Sequence, residues 1–189
     1  MTDASLYGPS ALATPANVVT VIRLLVSPII FSMISHDKTS WSIFVLWVVL
    51  AGTDGIDGWI ARRQGATRSG AFLDPLADKV LVLGALFALV SVDRFPLAPV
   101  LIILGRELFI SLYRAYWGRR GLAVPARRTA KAKTLLQAVA VGLAVLPLLS
   151  AGPNWPADVV LWASVVMAIV SAAQYVLDGS RAATSMDPA

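Results

Sequence analysis

Apolar stretches of membrane-spanning length recur along this chain of 189 residues. Hydrophobic residues make up 57% of it and charged residues only 14%, whereas soluble domains carry roughly 25% charged residues. A helix needs about 20 predominantly apolar residues to cross a bilayer. The pattern predicts an all-α integral membrane protein with six transmembrane helices, near 17–35, 41–63, 74–92, 96–118, 129–151 and 155–178.

Polar breaks separate the six apolar segments, and neither an internal repeat nor a second domain is evident. We therefore expect one membrane-embedded domain over 1–189, with flexible ends at about 1–14 and 180–189. The chain has no cysteine, which excludes disulfides and thiolate metal sites.

The positive charges are distributed unevenly between the connecting segments. If both termini are cytoplasmic, the outer side keeps only Lys38 and Arg94, while the cytoplasmic side carries Arg62, Arg63, Arg68, Arg114, Arg119, Arg120, Arg127, Arg128, Lys131, Lys133 and Arg181. This asymmetry satisfies the positive-inside rule and predicts an inner or plasma membrane location. Because the basic residues are split among membrane loops, anionic lipid or phosphate is the expected partner, not nucleic acid.

Four aspartates interrupt the apolar sequence. Asp54 and Asp57 are three residues apart and Asp74 and Asp78 are four apart, so each pair shares a helix face. Carboxylates in or beside a bilayer are costly unless compensated, which makes them functional candidates. Hard oxygen ligands of this kind suit Mg²⁺ or Mn²⁺, and four of them can be shared by two cations. The spacing predicts a two-metal site at the cytoplasmic ends of the second and third helices.

A purely structural explanation of the aspartates is the alternative. Asp74 precedes Pro75, as an N-cap followed by proline at the first helical position would, and Asp57-Gly58 is compatible with a turn. The neighbouring residues favour a ligand site instead. Gly58 and Ala61 leave space for a ligand to approach the backbone, and Arg62 can meet a diphosphate.

The whole segment 54–78 follows the pattern D-x2-D-G-x2-A-R-x7-G-x3-D-x3-D, which resembles the signature of the CDP-alcohol phosphotransferases. The resemblance implies a six-helix membrane enzyme, commonly dimeric, that transfers a phosphatidyl group from CDP-diacylglycerol to an alcohol and releases CMP. It also implies two divalent cations held by the four aspartates, with Asp78 as general base. The CDP-binding residues implied in the same way are Asp57, Gly58, Ala61, Arg62 and Gly70.

Polar residues of the fourth and fifth helices indicate which alcohol accepts the phosphatidyl group. Arg106-Glu107 followed by Arg114, and then a stretch with Val-Pro-Ala and K131-x-K-T-x2-Q137, resemble the branch of the family that uses glycerol 3-phosphate. The start of the first helix, with Asn17, Thr20 and Arg23 on one face, resembles it too. The implied ligands of the acceptor phosphate are Arg106, Arg114, Lys131 and Lys133.

Several alternatives stay open at this point. Arg106 and Glu107 are also compatible with internal pairing of the fourth helix, and Lys131 and Lys133 with positive-inside anchoring. Inositol phosphate, phosphatidylglycerol or serine are other acceptors used with the same chemistry. A membrane prenyltransferase and a divalent-cation channel or transporter are the alternatives from other classes.

Overall fold

Six α-helices occupy the part of the chain that the structure describes. The computed structural model describes the backbone of residues 15–64, 68–119, 128–149 and 154–184, and side chains within 17–53, 76–118, 132–149 and 154–179. The helices are α1 (Pro15–Asp37), α2 (Trp41–Gln64), α3 (Arg68–Ser91), α4 (Leu97–Arg119), α5 (Arg128–Val145) and α6 (Trp155–Thr184), with a 3₁₀ turn at Pro147–Leu149. Because the described residues contain no strand, the predicted all-α class is confirmed.

The chain divides into two compact units. The first unit comprises Met1–Phe95 and Val141–Asn154, and the second unit comprises Pro96–Ala140 and Trp155–Ala189. In the first unit α1 packs against both α2 and α3, and in the second unit α4 packs against α6. The predicted flexible start, 1–14, lies outside the described residues, and the expectation of one domain over 1–189 stays a prediction.

Three helix boundaries differ by six residues from the expected ones. α6 continues to Thr184 instead of ending at 178, so the first part of the predicted flexible end, 180–189, is helical, and 185–189 lies outside the described residues. α3 begins at Arg68, six residues earlier than predicted, so Asp74 and Pro75 lie inside the helix and not at its cap. A proline inside a helix removes one backbone hydrogen bond, and membrane helices tolerate it where neighbouring groups satisfy the freed carbonyl. α5 ends at Val145 instead of 151 because Pro147 disfavours helical backbone in the residue before it.

Apolar side chains cover the outside of the helices, while polar ones face inward. On α1, Leu25 is 70% exposed, whereas Arg23 is 1% exposed and Ser27 is fully buried. The same inversion occurs on α6, where Val166 is exposed and Ser164 is buried. A water-soluble helix shows the opposite arrangement. The exposed apolar faces therefore match a protein surrounded by lipid.

Two helices are long and apolar enough to cross a membrane within the side chains that the structure describes. They are Asn17–Asp37 and Trp155–Gly179, and shorter apolar helices occupy Trp41–Thr53 and Ala132–Val145. α4 is interrupted by Arg106, Glu107 and Arg114. Six helices are thus present, and the crossing of a membrane by all six stays a prediction.

Arg94 caps the end of α5 within the first unit. α3 is followed by Asp93 in the left-handed region, with φ of 58°, which aspartate tolerates better than most residues. The turn directs the Arg94 guanidinium to the carbonyl of Ala144 at 3.0 Å, and Asn154 donates to the Arg94 carbonyl. Carbonyls in the last turn of a helix lack intrahelical partners. The arginine therefore supplies both a donor and a favourable charge there.

Close packing between α1 and α3 depends on Gly84. A methyl group at this position would overlap the ring of Phe31 on α1. Overpacking of this kind forces side chains away from favoured rotamers, at a cost of about 1–3 kcal/mol.

We expect Gly84→Ala to lower the thermal stability of the purified protein in detergent by about 1–3 kcal/mol, because the Phe31 ring must move. Gly52→Ala is the matched control in the first unit, since nothing lies within 4 Å of an added Cβ there. That substitution should be neutral or stabilising, as alanine is the better helix former. Equal stability of the two variants would show that Phe31 moves aside without cost.

Candidate active site

All four predicted aspartates lie in helical backbone. Asp54 and Asp57 belong to α2, and Asp74 and Asp78 belong to α3. The turn at Asp57-Gly58 and the N-cap at Asp74, which were the structural alternatives, are therefore wrong. Continuous helices keep the i,i+3 and i,i+4 spacings on one face of each helix.

Asp78 is the one aspartate of this set whose side chain is described. It is half-buried on α3 and follows Ala77, which is fully buried. Among the described side chains no group of three or more potential metal ligands occurs. The other predicted metal-binding and CDP-binding side chains lie outside the described ones, and they are Asp54, Asp57, Gly58, Ala61, Arg62, Gly70 and Asp74. The two-metal site stays a prediction.

The buried face of α1 is polar where it begins. Asn17, Thr20 and Arg23 are each at most 1% exposed, and Ser27 continues the row and donates to the Arg23 carbonyl at 2.7 Å. Burying a guanidinium is costly unless oxygen atoms compensate its charge. α1 packs against α2 and α3, the two helices that carry the aspartates. The first unit therefore combines a buried polar face on α1 with the two helices that the signature occupies.

A buried carboxylate joins two cations in the second unit. Glu107 on α4 accepts hydrogen bonds through Oε1 from Lys133 Nζ on α5 and from Arg106 at 2.9 Å. All three side chains are largely buried. Charges in such a place must be paired, and the three together carry a net charge of +1, two cations against one carboxylate. The cluster thus brings two cationic side chains together around one carboxylate in the interior of the second unit.

Arg106 also ties α4 to α6. Its Nε donates to the Ala168 carbonyl at 3.3 Å and one terminal nitrogen donates to Ser171 Oγ at 2.7 Å, while the other terminal nitrogen meets Glu107. All three nitrogens of the guanidinium are therefore engaged within the protein. The structure bears out the internal pairing of the fourth helix that the sequence left open, and phosphate binding by Arg106 stays a prediction.

The other predicted acceptor-phosphate ligands differ in how far the structure describes them. Arg114 is exposed on α4, two turns beyond Arg106. Lys133 is buried in the cluster with Glu107. Lys131 belongs to α5, but its side chain lies outside the described ones. Of the four predicted phosphate ligands, the structure thus brings Arg106 and Lys133 together through Glu107. No separate role was predicted for this carboxylate.

Gln137 ends the K-x-K-T-x2-Q stretch that the sequence singled out, although the sequence assigned no ligand to it. It lies one helical turn after Lys133 on α5, and its side chain is buried. Its Nε2 has no hydrogen-bond partner in the structure described here. The i,i+4 spacing to Lys133 was the available signal, but spacing alone does not tell whether an amide is paired.

The comparisons with known proteins identify the family of the chain. Residues 13–170 match the model of the CDP-alcohol phosphatidyltransferase family. A protein of Mycobacterium tuberculosis named as a probable phosphatidylglycerophosphate synthase is 38% identical over 92% of this chain and 85% of its own length. A Rickettsia felis protein named CDP-diacylglycerol–glycerol-3-phosphate 3-phosphatidyltransferase is 32% identical over 84% of this chain and 91% of its own.

A Bacillus subtilis protein of the same name is 37% identical over 69% of both chains. The family model spans 158 of the 189 residues, from α1 into α6, and therefore includes all four aspartates and the Glu107 cluster. The chain belongs to the CDP-alcohol phosphatidyltransferase family.

Proposed function

We propose that this protein transfers the phosphatidyl group of CDP-diacylglycerol to glycerol 3-phosphate, forming phosphatidylglycerophosphate and releasing CMP. The observation that carries the proposal is the similarity, over nearly the whole chain, to relatives whose names specify this reaction. The buried cluster around Glu107 supports a phosphorylated acceptor, because its Lys133 and Arg106 side chains are cationic donors of the kind that bind phosphate.

The donor set supports divalent cations as cofactors. Four carboxylates, two on each of two helices, provide the hard oxygen ligands that Mg²⁺ and Mn²⁺ prefer. We propose that Asp54, Asp57, Asp74 and Asp78 hold two such ions. Bound cations would neutralise the diphosphate of the donor and stabilise the charge that develops on it during transfer.

The remaining residues of the signature orient the donor nucleotide. Gly58, Ala61 and Gly70 have small side chains or none, which allows close approach of CDP to the helix backbone, and the Arg62 guanidinium suits its phosphates. We assign Asp57 to the same site. In this proposal Asp78 accepts the proton of the acceptor hydroxyl as the oxygen attacks the lipid-linked phosphorus and CMP leaves.

Cations of the second unit bind the phosphate of the acceptor in this proposal. Lys133 is the principal one, because a protonated amine has three N–H donors and its pairing with Glu107 is compatible with a phosphate ligand. Arg114 adds an exposed positive charge, Lys131 adds a second cation of α5, and Arg106 contributes its charge from within the cluster.

The exposed apolar helix faces support an integral membrane protein. We propose that all six helices cross the inner or plasma membrane, with the active site facing the cytoplasm, where the basic residues concentrate. A homodimer is proposed from family membership. Inositol phosphate and phosphatidylglycerol are the alternative acceptors, and cation transport is the alternative function outside the family chemistry.

The acceptor is tested by CMP release from CDP-diacylglycerol with purified protein, Mg²⁺ and a panel of alcohols. We expect release to be fastest with glycerol 3-phosphate, because a phosphate monoester meets the cationic site best. Chelation of divalent cations should stop it. Release with inositol phosphate but not glycerol 3-phosphate would overturn the acceptor assignment, and Mg²⁺ flux into liposomes without CDP-lipid would support a transporter.

The proposed base is tested by Asp78→Asn, which keeps the size of the side chain but removes the proton acceptor. Transfer should fall by about 10²-fold or more, the usual contribution of a general base. Asp93→Asn is the matched control, since asparagine also tolerates the left-handed backbone at that exposed site. Unchanged thermal stability of both variants, with activity lost in one, is the expected result. Near-normal transfer by Asp78→Asn would exclude this role.

The ion pair of Lys133 with Glu107 is tested by a double-mutant cycle in steady-state kinetics. Lys133→Ala should raise the KM for glycerol 3-phosphate by roughly 10-fold or more, as expected for loss of a hydrogen bond to a charged group, and leave the KM for CDP-diacylglycerol nearly unchanged.

Glu107→Gln should also raise the acceptor KM, because Lys133 loses the group that positions it. If Glu107 acts through Lys133, the double variant raises the KM no further than Lys133→Ala does. Additive effects would instead indicate that Glu107 contributes to the acceptor site independently of the lysine.

A further inference from the structure

One buried hydrogen-bond donor of the second unit has no acceptor. Gln137 is 3% exposed, and its Nε2 makes no hydrogen bond in the structure described here. It is the one buried, unsatisfied side-chain atom of the second unit within the described residues, since the three others belong to the first unit. Leaving such a group unpaired is costly, and native proteins rarely retain one without a reason.

The surroundings of this amide indicate the ligand that it lacks. Lys133 is four residues earlier on α5, so the two side chains share one face of the helix, and both are buried. Their Cα atoms are separated by about 6 Å of helical rise. A phosphate group has several acceptor oxygens, so one phosphate can meet a lysine and an amide at this spacing.

The charge of the neighbouring cluster favours the same ligand. Lys133 and Arg106 both meet Glu107, so two cationic donors lie around one carboxylate. Arg106 is held by α6 and by Glu107, which fixes the carboxylate that Lys133 contacts. An amide N–H donor one turn from a lysine is complementary to an anionic oxygen, because hydrogen bonds to a charged acceptor are the stronger ones.

We propose that Gln137 is an acceptor-binding residue, which donates a hydrogen bond through Nε2 to a phosphate oxygen of the acceptor alongside Lys133. The inference rests on the proposed function, because it takes glycerol 3-phosphate as the acceptor. It adds a specificity-determining residue: a neutral amide selects phosphate through geometry and not through charge.

Gln137→Met is the test, because methionine fills a similar volume with no hydrogen-bonding nitrogen. Thermal unfolding of the purified full-length protein in detergent is measured with glycerol 3-phosphate, inorganic phosphate or glycerol, in the absence of CDP-lipid. Both phosphates should stabilise the wild type, and glycerol should not. The variant should be at least as stable without ligand, because a buried unpaired donor has been removed, and should lose most of the stabilisation by phosphate.

Kinetics supply the second measurement. The KM for glycerol 3-phosphate should rise roughly 10-fold in Gln137→Met, the scale of one hydrogen bond to a charged group, with the donor KM unchanged. The same substitution at Gln174, on α6 of the second unit, controls for the change from glutamine to methionine and should leave the phosphate effect intact.

The outcomes separate this inference from the proposed function. Loss of stability without any change in the phosphate effect or the acceptor KM would make Gln137 structural and overturn the inference. A rise confined to the KM for CDP-diacylglycerol would assign the amide to a donor phosphate and overturn it as well. If glycerol 3-phosphate released no CMP, the proposed function would fail. The phosphate-binding role of Gln137 would still be supported by a weaker effect of inorganic phosphate on the variant.

Discussion

Glu107 accepts hydrogen bonds from two cations inside the second unit, and the helices around it depend on that arrangement. Lys133 and Arg106 carry positive charges into a largely buried place, where each would be strongly unfavourable without a carboxylate. Arg106 extends the link by donating to Ala168 and Ser171. Glu107 thus connects α4 to α5, Arg106 connects α4 to α6, and the carboxylate holds the lysine that the proposed reaction uses.

The first unit also encloses a cationic side chain, on the polar face of α1. Its polar residues occupy the buried face of α1, where Arg23 is enclosed, and its apolar residues face outward. In water this distribution would be unfavourable, because the exposed apolar side chains would remain in contact with solvent and gain no free energy from burial. In a lipid environment the apolar exterior is satisfied, and polar groups are stable only where the protein itself supplies their partners. In both units, charged and polar side chains therefore lie in the interior, as Arg23 and the Glu107 cluster do.

Sequence patterns predicted the number and type of helices well, because apolar length and polar breaks are local properties. They also identified the aspartates, since the spacing of carboxylates is independent of tertiary contacts. The start of α3 was predicted too late because Gly70 and the Asp74-Pro75 pair resemble a helix boundary, although the surrounding helix tolerates both. The role of Arg106 in holding α6 was not predictable, because Ser171 and Ala168 are more than 60 residues away in the chain. The unpaired Nε2 of Gln137 was not predictable either, because the hydrogen bonding of a buried amide depends on all the side chains around it.

α5 belongs to both units: residues up to Ala140 are part of the second, and those from Val141 are part of the first. One end is anchored by the Arg94 cap on Ala144 and by Gly142 against Trp47, and the other carries Lys133 and Gln137. Each residue of an α-helix turns the chain by about 100°. Within the second unit, the number of residues between Lys133 and Gln137 therefore sets the angle between these two side chains. An insertion or deletion between them would turn them to different faces of α5 even if both residues were retained, so the helical phase of this short stretch is itself a requirement of the proposed acceptor site.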